Sequence, residues 1–80
     1  MEKSLLDILL AEQDKVRTIN SAVESIEFFQ TQKETVREQG DVSACDRIIA
    51  DYKRKAEEAS AELIEIRKSI RDYASWIMSL

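Results

Sequence analysis

Apolar positions recur in alternating threes and fours through the second half of the chain: Val42, Cys45, Ile49, Tyr52, Ala56, Ala59, Leu63, Ile66, Ile70, Tyr73, Ile77 and Leu80. No polar residue interrupts the series. Positions three and four apart share one side of an α-helix, and a repeat sustained this long is the seam of a helix packed lengthwise on another. The first half is less regular. Leu5, Ile8, Leu9, Val16, Ile19, Val23 and Ile26 form an apolar stripe, while Ala22, Phe29 and Val36 continue it with a drift around the helix. Glu12, Gln30, Lys33 and Arg37 intrude on that stripe.

The start and stop signals divide the chain into two helices. Ser4 suits an N-cap, with Asp7 three residues on as a weak capping box. Gly40 is the one glycine and there is no proline. It suits the position just past a helix C-terminus, where a positive φ costs glycine least. Asp41 or Ser43 suits the next N-cap, and Ser43 repeats the Ser-x-x-Asp spacing with Asp46. The pattern therefore predicts helix 1 at about 4–39, a turn at about 39–43 and helix 2 at about 43–79. The fold class is all-α: one domain, an antiparallel hairpin of two long, coiled-coil-like helices. In the expected register, residue n of helix 1 lies near residue 81 − n of helix 2. Ala56 and Ala59 then fall beside Ser25, Ile26, Ala22 and Val23, and Phe28 and Phe29 beside Tyr52 and Ala56. Bulky groups meet small ones, as interdigitation requires.

A lone hairpin leaves apolar residues over. At the open end Leu6, Leu10, Trp76 and Met78 have no partner helix, with Tyr73 beside them; near the turn Ile48 faces the polar last turns of helix 1. Contiguous exposed apolar surface marks an interface. A two-helix core is also thin, and short chains add staples or oligomerise. The expectation is a self-associating hairpin, dimer or higher, closing into a four-helix bundle. Leu6, Leu10, Tyr73, Trp76, Met78 and Ile48 are the candidate interface, for self-association or for another protein. The layout resembles small Rop-like bundle dimers in architecture only. It shares no motif with them, so no activity follows from the likeness.

Chemistry narrows the classes further. The chain has no histidine and a single cysteine, and it lacks a glycine-rich phosphate loop. No catalytic, cofactor-binding or metal-ligating set is expected. Cys45 lies on the seam, where a structural thiol is the plainer reading. Glu12 is the one acid placed on a seam, and a solvated or snorkelling carboxylate is the plainer reading there. Acid–base pairs such as Asp51–Lys55 line the outside of helix 2.

Twelve basic against sixteen acidic residues give a net charge of −4. That balance disfavours phosphate backbones and anionic membranes. The basic run Lys53, Arg54 and Lys55, with Arg47 a turn away, is the alternative nucleic-acid patch. A solvated face balancing nearby acids is preferred. No stretch approaches the ~20 apolar residues of a membrane span, and the acidic start is unlike a signal peptide. A cytoplasmic protein is expected. The leading function is non-enzymatic: a protein-interaction module acting as adaptor, chaperone-like partner or inhibitor. A small nucleic-acid-associated regulator is the alternative. The build is one common among small accessory proteins of phage and bacteria.

Overall fold

The computed structural model describes residues 4–37, 40 and 42–80. Two helices, α1 (Leu5–Val36) and α2 (Ser43–Met78), pack side by side along their lengths. The molecule is a rod of 64 × 16 × 14 Å. Its radius of gyration is 18.2 Å, against about 12 Å for a compact domain of this length.

The helix ends follow local chemistry. Ser4 caps α1, its Oγ accepting from the Asp7 N–H at 3.2 Å. The first helix closes at Val36 and Arg37 continues in a tighter turn, its N–H donating to the Lys33 carbonyl. The expected end near 39 falls on residues outside the described ones, as does the proposed Asp41 cap. Gly40 has φ +131° and open space around its Cα. Backbone conformation, not crowding, therefore selects glycine there. Val42 rather than Ser43 sits at the N-cap of α2, and no side chain caps it. Asp46 serves a different end from the one its spacing implied. Its carboxylate reaches across the hairpin to Lys33 at 2.6 Å.

Packing resolves the seam on both helices. In α2 the series from Val42 to Tyr73 is buried or half-buried throughout, whereas Ile77 and Leu80 run past the end of α1 and are exposed. In α1 the inward positions are Leu5, Ile8, Glu12, Lys15, Ile19, Ala22, Ile26, Phe29, Lys33 and Val36. That is the same alternation of threes and fours. It differs from the apolar stripe read from hydropathy, because Leu9, Val16 and Val23 are exposed. Glu12, Lys15 and Lys33 take seam places by lying along the groove and sending their charged ends to its edge.

The register is close to the expected one but not identical. Phe29 stacks on Tyr52, ring centroids 6.3 Å apart, and meets it. The ion pairs Glu12–Arg67 and Lys33–Asp46 fall two residues short of it and Lys15–Glu62 four. The physical reason is the reach of the side chains: lysine, arginine and glutamate pair along the groove edge with residues up to a turn away from those directly opposite. Ala22 and Ala59, each 4% exposed, still come together at mid-length, where small side chains let the helices approach.

Candidate interaction surface

Position within the heptad decides where each candidate points. In α1, Leu9, Val16 and Val23 stand seven residues apart on one flank of the seam. In α2 the adjoining flank carries Asp46, Lys53, Ser60, Arg67 and Ala74, also at sevens. The ion pairs identify these as the same side of the hairpin, since Glu12 and Lys33 of α1 both reach this row, at Arg67 and Asp46. Lys15 leans to the opposite flank, where Glu62 meets it. That contact raises the Lys15 pKa above 10.5, first through the hydrogen bond to Glu62 and then through its charge.

The candidate interface residues do not form one patch. Leu6 and Met78 border the flank of Leu9, Val16 and Val23; Trp76 and Ile48 belong to the opposite flank. Leu10 points away from α2, and Tyr73 is half-buried in the seam. Leu6, Leu10, Trp76 and Met78 are exposed, while Ile48 is half-covered. The sequence reading passed over two features. Hydropathy alone places Leu9, Val16 and Val23 in the core, whereas they form a second, outward stripe. Ile64, 58% exposed, was not singled out. Its signal was available: an isoleucine one place after seam residue Leu63 cannot share the seam.

No protein-family model, curated protein or solved structure matches the chain. Its surface chemistry must therefore be read from the residues themselves.

Two residues of the basic patch make contacts within α2. Arg54 pairs with Asp51 at 3.6 Å, and the Lys55 ammonium lies 5.2 Å from the centre of the Tyr52 ring. The Asp51–Lys55 pairing expected from spacing thus gives way to Asp51–Arg54. Lys53 and Arg47 are exposed and stand on different faces of α2. Cys45 is half-buried on the seam. Glu12, the acid singled out on a seam, accepts from Arg67 Nε at 3.2 Å. Near the turn, a shallow groove is lined by Glu27, Gln30, Thr31, Lys33, Glu34 and Arg37. It continues the flank of Val23 in polar form. Among the described residues there is no cluster of three metal-ligating side chains, and no helix is long and apolar enough to cross a membrane.

Proposed function

We propose that the protein is a non-enzymatic interaction module, a self-associating helical hairpin whose biological role is to hold another protein as adaptor, chaperone-like partner or inhibitor. One observation carries this reading: the hairpin keeps far more surface than a finished monomer. Its accessible area is 6229 Å² for 9.2 kDa, where a compact monomer of that mass exposes about 4,900 Å². Among the described residues only Ile8, Ala22, Ala59 and Leu63 are buried. The surplus, roughly 1,300 Å² per chain, exceeds the ~800 Å² each partner contributes to a standard interface. A bundle of two hairpins covers surface of this kind.

Sedimentation of the purified chain at micromolar concentration tests the self-association. A dimer or tetramer is expected, and a compact, well-folded monomer would refute it. Changing Leu6 and Leu10 together to lysine is expected to give partly unfolded monomers. Capture from a native lysate followed by mass spectrometry addresses the external partner; exposed apolar residues favour protein over phosphate.

A further inference from the structure

We infer that a second copy of this chain docks on the Leu9–Val16–Val23 flank, in antiparallel orientation, with the two-fold axis of the pair passing close to Val16. The inference rests on the self-association proposed above and fixes its geometry.

The argument starts from what the flank contains. Leu9, Val16 and Val23 are 41%, 43% and 42% exposed, and they lie in one row. Along α2, Ile64 is brought to the level of Val16, because Lys15–Glu62 and Glu12–Arg67 bracket it on either side. Ile64 also stands three residues from Arg67, on the same side of α2. Two otherwise unexplained exposed β-branched side chains thus sit abreast on one face. Leu6 and Met78 extend that face to the open end.

Toward the turn its character changes. The row of Leu9, Val16 and Val23 continues as Gln30 and Arg37, and the opposing row as Lys53 and Asp46. The apolar surface is therefore confined to the open half. Two hairpins overlapping along their full lengths, head to tail, would set Leu9 against the Gln30–Arg37 segment. Centring the overlap on Val16 removes that mismatch. Closed two-fold contacts are self-complementary: if one residue meets a second, the second meets the first in return. Leu9 and Val23 lie seven residues on either side of Val16. An axis at Val16 sets Leu9 of each copy against Val23 of the other, and Val16 against itself. Ile64 is then next to the axis on α2. Arg67 enters this interface with its charge already met by Glu12 in its own chain.

The geometry has a shape. Val16 is level with Ile64, which stands ~24 Å from Leu80 at the open end of the rod, so two 64 Å hairpins crossing there span about 80 Å, with both turns uncovered. A side-by-side dimer with its axis along the rod would stay near 64 Å and keep the two Val16 residues apart.

The test uses opposite charges at the axis. Val16→Glu and Val16→Lys each set like charges together across the two-fold, and each alone should dissociate at least ~100-fold more readily than the wild type. Mixed in equal amounts, the two variants should form a heterodimer with wild-type helix content. The rescue reads out even if either variant alone loses its fold. Small-angle scattering of the wild type should give a maximum dimension of ~80 Å. A Val16→Glu homodimer as tight as the wild type, or no heterodimer on mixing, would overturn the axis while leaving self-association standing. A folded wild-type monomer would overturn both.

Discussion

The two helices carry the same seam spacing and use it differently. In α2 the positions from Val42 to Tyr73 are apolar throughout, and its outer faces are largely charged. In α1 charged residues stand at Glu12, Lys15 and Lys33 of the seam, while Leu9, Val16 and Val23 occupy its flank. One helix puts most of its hydrophobicity where its intrachain partner is, with Ile64, Trp76 and Met78 outside that seam. The other divides it between that partner and the outside. The difference teaches that a stripe of apolar residues reports total burial, including burial between copies, and not the hairpin core alone.

The sharpest way to break this comparison is to truncate one residue from each class. Leu63 belongs to the α2 seam and is 8% exposed. Leu63→Ala removes buried methyl groups and leaves a gap between helices, a loss of about 2–5 kcal/mol. Val23→Ala, on the α1 flank, should cost under ~1 kcal/mol in the isolated hairpin and should act mainly on association. Thermal unfolding across a range of protein concentrations separates the two. The Leu63→Ala loss should persist at every concentration, and the Val23→Ala loss should grow as the protein is concentrated. Equal, concentration-independent losses would mean that the flank is core after all.

What the sequence made legible follows the same division. The α2 seam, the capping by Ser4 and the role of Gly40 were readable because each has a single local cause. The α1 seam was not, because side-chain length overrides hydropathy there. Lysine and glutamate bury their stems and carry their charges to the groove edge, so Lys15 passes for a surface residue while Glu12 interrupts the apolar pattern. The register was readable from volume matching, and the ion pairs that depart from it do so through the reach of their long side chains. Leu6, Trp76 and Met78 were recognisable as surplus, but placing them on opposite flanks needed the cross-hairpin ion pairs. In the basic run, Arg54 lies against Asp51 and Lys55 against the Tyr52 ring, while Lys53 is exposed.

A smaller effect comes from making α1 resemble α2. Lys15 occupies a seam position but contributes only its stem to packing. Lys15→Leu replaces that stem with a branched apolar side chain and releases Glu62 to solvent. The ion pair is partly exposed on both sides, so solvent screens it and its loss costs less than the added apolar burial returns. The variant is expected to melt a few degrees higher than the wild type by circular dichroism. A lower melting temperature would mean that Lys15 contributes more through Glu62 than through its position.

The smallest effect is a pH dependence confined to the alkaline side. Glu62 raises the Lys15 pKa above 10.5 in the folded chain, chiefly by accepting its hydrogen bond. In the unfolded chain that hydrogen bond is absent and the group returns to the ordinary value. A raised folded-state pKa means that the folded form holds its proton more tightly. The resulting stabilisation is complete below pH 10.5 and disappears as the pH rises through the folded-state value. The wild type is therefore compared with Lys15→Met, which keeps the length of the stem and lacks the charge. The part of their difference in unfolding free energy that comes from the Glu62 contact should be constant from neutral pH to about 10 and should shrink toward zero above that. Denaturant titrations of both proteins at matched ionic strength measure it. A difference that stays flat through the alkaline range would show that Lys15 and Glu62 do not hold this contact in solution, and that α1 tolerates the lysine only because its stem fits the groove.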